Sequence, residues 1–138
     1  MLTDIASSIG SLKNAQENVR KWMRPEKRKT GFPMSLLGGK SAVLFQPKGV
    51  VGVIAPWNFP VVLSMIDTIP ALMAGCGVVL KPSEVTPRYV EPLRKIFAAV
   101  PALAGVFKVV LGPGSTGADL VGQADAIVCT GSVRTGRI

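Results

Sequence analysis

The first part of the chain has the hydrophobic spacing of one amphipathic helix. Its apolar residues recur every three or four positions, the spacing that places side chains on one helix face. They are Ile5, Ile9, Leu12, Val19, Trp22 and Met23. Asp4 can cap the start and Pro25 ends the pattern, so we predict a helix over residues 5–24 with a basic outer face. The charged segment 24–33 contains two prolines and is predicted to be a connector.

After residue 40 the pattern changes to short runs of consecutive apolar residues. Segment 41–46 is predicted to be a strand or a hairpin arm that leaves the main body, and the turn signal Pro47-Lys48-Gly49 follows it. From residue 50 onward, predicted strands alternate with predicted helices. The strands cover residues 50–55, 77–81, 106–111 and 126–130, and the helices cover 60–74, 87–99 and 115–122.

Polar residues and prolines mark where these helices begin. Thr86 is placed as an N-cap with Pro87 at the first helical position, Ser115 as the next N-cap, and Ser132 as the start of a further helix. The strands are continuous apolar runs, which is typical of a parallel sheet covered on both faces. We therefore predict an α/β fold with a doubly wound, mostly parallel sheet.

The predicted fold is incomplete at both ends. The last residues open a helix that the sequence does not finish, and the first helix has no preceding strand to pack on. We divide the chain into a basic helix and connector (1–33), a strand or hairpin arm (34–48) and a partial parallel-sheet domain (49–138). A sheet that lacks its later strands exposes an edge and apolar faces, so self-association is expected.

Composition places the chain among globular proteins. It has 138 residues, 48% of them hydrophobic and 17% charged, which suits one domain with a buried core. No stretch of apolar residues is long enough to span a membrane. The N-terminus lacks the basic and apolar regions of a signal peptide, so a cytoplasmic location is expected.

The absence of histidine excludes several kinds of site. The chain has no His general base, no Ser-His-Asp or Cys-His pair and no His-ligated metal, so no metal site is expected. Cys76 and Cys129 are 53 positions apart and form no CxxC motif. Both are expected to be small buried hydrophobes, because that is how free cysteines are most often used.

The net charge of +8 is concentrated at the start of the chain. Residues 1–29 contain seven basic and three acidic residues, which is half of the excess. Such an excess can indicate nucleic acid, an anionic membrane or an anionic small ligand as the partner. The basic residues occupy one solvated face without interleaved aromatic residues, so no nucleic-acid partner is expected. DNA binding that weakens steeply with increasing salt concentration would instead support a nucleic-acid partner.

Candidate chemistry follows the predicted strands. Ligands of open parallel sheets bind beyond the carboxyl ends of the strands, which here lead into four loops at one edge. These loops are 56–60, 82–84, 112–114 and 131–132. Lys81 and Glu84 are three residues apart at a strand end, and an ammonium beside a carboxylate suits the vicinal hydroxyls of a ribose.

The other loops supply backbone groups. Gly112 and Gly114 allow close approach to a flat ring or a sugar. Gly131-Ser132 at a helix start offers free N–H groups and a hydroxyl to a phosphate. Asn58 lies between two prolines and can present an amide N–H to a developing oxyanion.

Each of these features also has a purely structural interpretation. A Gly-Pro-Gly is usually a turn, a serine before a helix is usually a cap, and a charged strand end is usually a solvated loop. The GxGxxG fingerprint of an ordinary dinucleotide fold is absent. The four loops together indicate a binding site only because they occur in order at the same end of one sheet.

Three segments carry a family resemblance. GVVGVIAPWNFP (49–60), GVVLKPSEVTP (77–87) and CTGSVRTGR (129–137) resemble successive signature segments of the NAD(P)-dependent aldehyde dehydrogenases. KWMRPEKRKT (21–30) is similar to the class 3 and coniferyl-aldehyde branch of that family. The resemblance implies the family's variant of the Rossmann fold, with this chain as an N-terminal fragment of its cofactor-binding domain.

The resemblance also implies roles for individual residues. Asn58 would contribute to the oxyanion hole, Lys81 and Glu84 would hold the adenosine ribose, and Gly131 and Ser132 would bind the pyrophosphate. The full set of cofactor contacts that it implies is Ala55, Pro56, Trp57, Lys81, Ser83, Glu84, Gly112, Gly114, Gly131, Ser132 and Thr135. The cofactor would be NAD, with NADP as an alternative.

Departures from the family pattern limit the expected activity. The nucleophilic cysteine and the general-base glutamate of the family lie beyond Ile138, and the string at 36–40 resembles the latter's segment without its glutamate. The resemblance therefore implies part of an oxidoreductase that oxidises aldehydes, homo-oligomeric at full length and inactive as this chain alone. The alternative is a stand-alone, non-catalytic nucleotide-binding or interaction module.

Overall fold

The computed structural model describes residues 2–133 and 135–137. Its helices are α1 (Leu2–Trp22), α2 (Pro60–Met73), α3 (Val90–Ala98), α4 (Pro101–Ala104) and α5 (Gly114–Val121). Its strands are β1 (Glu26–Arg28), β2 (Ser41–Val43), β3 (Val50–Ile54), β4 (Gly77–Lys81), β5 (Phe107–Val109) and β6 (Ala126–Cys129). Short 3-10 turns cover Pro87–Tyr89 and Thr135–Arg137.

The main sheet has four parallel strands in the order β5-β4-β3-β6. From β3 the chain moves outward through β4 to β5 and then returns past β3 to β6, which is the doubly wound arrangement. The predicted α/β fold with a parallel sheet is confirmed. All four strands end at the same edge, as the continuous apolar runs indicated.

Alternate residues of β3 face opposite sides of the sheet. Val51 and Val53 belong to the buried core with Met65 and Ile69 of α2. Gly52 faces the other side, where α5 packs against β3. The sheet is therefore covered on both faces, and the larger share of the core lies on the α2 side.

Asp4 does not cap its own helix. It lies inside the first turn of α1, is only 6% exposed, and reaches across to the start of α2. Its carboxylate accepts hydrogen bonds from the backbone N–H groups of Val61 (3.3 Å) and Val62 (2.8 Å). The predicted cap of α1 is therefore wrong, because the carboxylate satisfies free amides of a different helix.

The predicted buried face of α1 is also wrong. Ile5, Ile9 and Leu12 are 42–49% exposed, whereas the face that packs on α2 contains Asp4 and the buried Ala15. Small side chains let the two helices approach closely, and Asp4 has to face α2 to make its bonds. Contacts with α2, and not the hydrophobicity of the side chains, therefore decide which residues of α1 are buried.

The segment predicted to be a connector contains a strand. β1 pairs antiparallel with β2, with Glu26 opposite Val43, and the two form a separate two-stranded sheet. The predicted strand 41–46 is shorter than expected and ends at Val43. Across the described ranges, no helix has both the length and the apolar character needed to cross a bilayer.

Two predicted helix starts differ in detail. α5 begins at Gly114 with Pro113 at the N-cap position, so Ser115 is inside the helix and is not its cap. Thr86 does occupy the N-cap position before Pro87, but its hydroxyl makes no capping bond. The helix expected from Ser132 is a 3-10 turn in the described residues; its parts at 134 and 138 lie outside them.

Candidate functional site

A cleft of 840 Å³ opens at the carboxyl ends of β3, β4 and β6. Its walls are the ends of these strands, the loops that follow them and one face of α5. The lining residues are Ile54, Ala55, Pro56, Trp57, Lys81, Ser83, Glu84, Gly114, Gly117, Ala118, Val121, Ile127, Cys129, Thr130, Gly131, Ser132, Thr135 and Gly136. This is the position at which doubly wound sheets bind ligands, and the volume is that of a small-molecule site.

Lys81 is a buried charge in the wall of this cleft. Its side chain is 5% exposed, and its ammonium donates to the carbonyl of Pro82 and to Oε2 of Glu84, both at 3.1 Å. Lysine is almost never this buried unless it is paired, because removing its charge from water is costly. A buried ammonium at a cleft wall is therefore a functional candidate.

Glu84 is the exposed member of the pair. Its side chain is 57% exposed and lines the cleft. A backbone hydrogen bond, together with the hydrogen bond and the charge of Lys81, lowers the pKa of the Glu84 carboxyl. The group is thus ionised at neutral pH and can accept hydrogen bonds from hydroxyl groups.

The floor of the cleft is one row of side chains across the sheet. Ile54 pairs in register with Lys81 on one side and with Cys129 on the other, so the three share a sheet face. Cys129 is exposed, and the expectation that it would be buried is wrong because β6 ends at the open cleft. Cys76 is buried as predicted, and its Sγ accepts the N–H of Lys48 at 3.3 Å.

The loop between β3 and α2 forms one rim of the cleft. Ala55 is held at the end of β3 by a hydrogen bond from its N–H to the carbonyl of Lys81 at 3.1 Å. Trp57 is 60% exposed and lines the cleft. Asn58 is exposed on the same loop but is not among the lining residues.

A face of small residues on α5 forms the opposite wall. Gly114, Gly117 and Ala118 contribute little side-chain bulk to this wall. Gly117 is buried, and a Cβ there would lie 3.6 Å from Cδ1 of Ile54 and 3.7 Å from Cδ of Lys81, so α5 packs closely against the floor of the cleft. Gly112 is outside the cleft. A Cβ at Gly112 would lie 2.1 Å from Oγ1 of Thr116, so the absence of its side chain is required by Thr116.

The loop after β6 brings two hydroxyl groups to the rim. Oγ of Ser132 lies 2.9 Å from Oγ1 of Thr135 and accepts the N–H of Thr135 at 3.2 Å. Both residues are exposed and line the cleft with Gly131. The structure thus gathers every predicted site residue at this cleft except Asn58 and Gly112.

Residues 1–138 match the model of the aldehyde dehydrogenase family over their whole length. The chain belongs to the aldehyde dehydrogenase family. Coniferyl aldehyde dehydrogenase of a Pseudomonas species is 49% identical over 98 residues, which are 71% of this chain and 20% of that protein. The chain therefore spans about a fifth of the curated relatives that it matches.

Solved structures of aldehyde dehydrogenases superimpose on almost all of the chain. PutA from Anabaena variabilis gives a TM-score of 0.87 at 43% identity and covers 99% of this chain and 28% of its own. An NAD-dependent benzaldehyde dehydrogenase from Corynebacterium glutamicum gives 0.77 at 36% identity, covering 98% of this chain and 30% of its own. The arrangement of strands around the cleft is that of this family.

Part of this aldehyde dehydrogenase cleft escapes sequence reasoning. The residues that it missed are Ile54, Gly117, Ala118, Val121, Ile127, Cys129, Thr130 and Gly136. The α5 members could have been found from their spacing, since Gly114, Gly117, Ala118 and Val121 recur as neighbours on one helix face. The strand residues could not have been found in this way, because the sheet face on which they lie depends on the register of strand pairing.

Proposed function

We propose that this chain is the dinucleotide-binding part of an NAD(P)-dependent aldehyde dehydrogenase. The observation that carries the proposal is the Lys81–Glu84 pair, a buried ammonium and an exposed carboxylate 3.1 Å apart in the wall of the cleft. A donor and an acceptor at this separation match the adjacent hydroxyls of a ribose. The Lys81 charge is already compensated, so the pair is preorganised before any ligand arrives.

The remaining groups of the cleft fit the rest of a dinucleotide. The hydroxyls of Ser132 and Thr135 offer hydrogen bonds to phosphate oxygens, and the small face of α5 leaves room for a flat ring. By resemblance, Asn58 serves the oxyanion hole of the complete enzyme from the outer side of the same loop. When bound, NAD(P)+ supplies the hydride acceptor for aldehyde oxidation.

We expect no aldehyde oxidation by the isolated chain. By resemblance, the nucleophilic cysteine and the general base lie beyond Ile138, and the chemistry needs both a thiolate and a base to activate water. Incubation with NAD+ and a small aldehyde should form NADH at the rate of a blank without protein. NADH formation above the blank that is abolished in a Cys129→Ser variant would show that the chain has a catalytic thiolate of its own, because Cys129 is its exposed cysteine.

Glu84 should favour NAD over NADP. Its ionised carboxylate can accept a bond from a 2′-hydroxyl, whereas it repels a 2′-phosphate. Glu84→Gln should therefore shift the ratio of NADH to NADPH affinity toward NADPH by about tenfold or more. The two affinities can be measured, in a Trp22→Phe background, by energy transfer from Trp57 to the reduced nicotinamide.

The pH dependence provides a check on the same residue. Because the pKa of Glu84 is lowered, its contribution to NADH binding should be constant at neutral and weakly acidic pH. It should decline only below the usual range of a glutamate carboxyl, and Glu84→Gln should remove that decline. Equal titration curves for the wild type and the variant would contradict a role for Glu84.

The proposal extends to the whole protein in coarser terms. By resemblance we describe this protein as a homo-oligomer that acts on aldehydes. The sequence features described above favour a cytoplasmic location and no nucleic-acid partner. The alternative is a stand-alone module that binds a nucleotide without catalysis. The two differ in whether an open reading frame continues past the codon for Ile138 into a cysteine and a glutamate segment.

A further inference from the structure

The start of α2 is capped by a residue of another helix. Pro60 has no N–H, and the next two amides, of Val61 and Val62, donate to the carboxylate of Asp4 in α1. The N-cap residue Phe59 supplies no side-chain bond. Amides at a helix start are the positive end of its dipole, so a buried carboxylate there is well stabilised.

This capped end also holds the rim loop of the cleft. The loop is anchored on one side by the bond from Ala55 to Lys81 and on the other by Phe59, whose carbonyl accepts the N–H of Leu63 at 3.0 Å. Only residues 56–58 lie between the two anchors. Their conformation, including the position of Trp57, therefore depends on where α2 begins.

The loop that carries Glu84 is tied to the same place. Oγ of Ser64, in the first turns of α2, donates to the carbonyl of Pro60 at 2.6 Å and lies 2.7 Å from the hydroxyl of Tyr89. Tyr89 is the last residue of the 3-10 turn Pro87–Tyr89, which begins three residues after Glu84. Burial raises the pKa of the Tyr89 hydroxyl, and the nearby Asp4 charge adds to that rise.

We propose that Asp4 is a positioning residue for the dinucleotide cleft. It fixes the start of α2, and through it the loops of Trp57 and Glu84, although it lies outside the cleft. Its carboxylate also occupies the amides that a phosphate would otherwise seek at this helix start. The part of the inference that concerns ligand binding rests on the function proposed above.

The test compares Asp4→Ala with a matched control in the same helix. Ala15→Gly weakens the α1 helix at a buried position that lies about 16 Å along the helix from Asp4. Both variants are made in a Trp22→Phe background, so that Trp57 is the only tryptophan. Asp4→Asn, which keeps the shape and one acceptor, is the second variant should the alanine form not fold.

Two measurements are made on each variant. The first needs no ligand: hydrogen exchange of the Val61 and Val62 amides and the NMR signals of Trp57 and Asn58. In Asp4→Ala the two amides should exchange about tenfold faster, with shifted signals in the loop, because the bonds that protect them are lost. In Ala15→Gly, compared at equal distance from its melting temperature, exchange should stay within about twofold of the wild type.

The second measurement is an NADH titration. The dissociation constant should rise about fivefold to tenfold in Asp4→Ala, less in Asp4→Asn, and less than about twofold in Ala15→Gly. Equal effects of Asp4→Ala and Ala15→Gly on exchange and affinity would overturn the proposal. If the wild type binds no NADH, the proposed function fails, and the exchange data alone decide whether Asp4 positions the loop.

Discussion

Replacing Lys81 by methionine should weaken NADH binding by about 10- to 100-fold without lowering the stability of the fold. The ammonium is the only part of Lys81 that methionine removes, since the apolar stem is retained. A charge-assisted hydrogen bond to a ligand contributes about 1.5–3 kcal/mol, which corresponds to this loss. Removing one member of an ion pair is destabilising when the charge left behind is buried, but the charge left on Glu84 is 57% exposed and stays solvated, so the folding stability should change little.

The Lys81→Met substitution should therefore lower the affinity for NADH and leave the melting temperature almost unchanged. Affinity is measured by titration and stability by thermal unfolding on the same sample. Lys108→Met is the matched control, because Lys108 lies in the neighbouring strand β5, is exposed, and donates to Ala104 outside the cleft. A large loss of melting temperature in Lys81→Met with unchanged NADH affinity would assign Lys81 a structural role only.

Replacing Gly52 by alanine should destabilise the protein by about 1–3 kcal/mol. A Cβ at this position would lie 2.5 Å from Cδ1 of Ile127 and 2.9 Å from Cγ of Leu120. The central strand and α5 meet here too closely for a methyl group, so α5 has to move away from β3. The melting temperature should fall by roughly 3–10 °C in thermal unfolding monitored by circular dichroism.

A second glycine supplies a control of opposite sign. Gly10 lies inside α1 with no atom within 4 Å of its would-be Cβ, so Gly10→Ala should stabilise by about 0.5–1 kcal/mol. Adding Ile127→Val to Gly52→Ala removes the nearest atom and should recover part of the loss. Strict additivity of those two substitutions would contradict the contact as the cause.

The parallel sheet and most of the cleft are predictable because both follow from the same local sequence pattern. β3, β4 and β6 are apolar runs with turn residues after them, and those turn residues become the rim of the cleft once the strands run parallel. Lys81 and Glu84 meet because they are three residues apart, a distance that needs no knowledge of the tertiary structure. Local spacing therefore predicts the pair that carries the proposed function.

The errors arise where distant segments decide the outcome. Asp4 binds amides 57 and 58 positions away, and no pattern within α1 indicates that partner. The same partnership turns the apolar stripe of Ile5 and Ile9 toward solvent. The exposure of Cys129 depends on the place of β6 at one end of the strand order of the described sheet.

The bond between α1 and α2 has a consequence for synthesis. Val61 is made 57 residues after Asp4, which at about 5–20 residues per second is an interval of roughly 3–11 s. During that interval the face of α1 with Asp4 and Ala15 has no partner, whereas the apolar stripe is open to solvent both before and after α2 packs against the helix. The contact between Asp4 and α2 therefore cannot form until the start of α2 has left the ribosome.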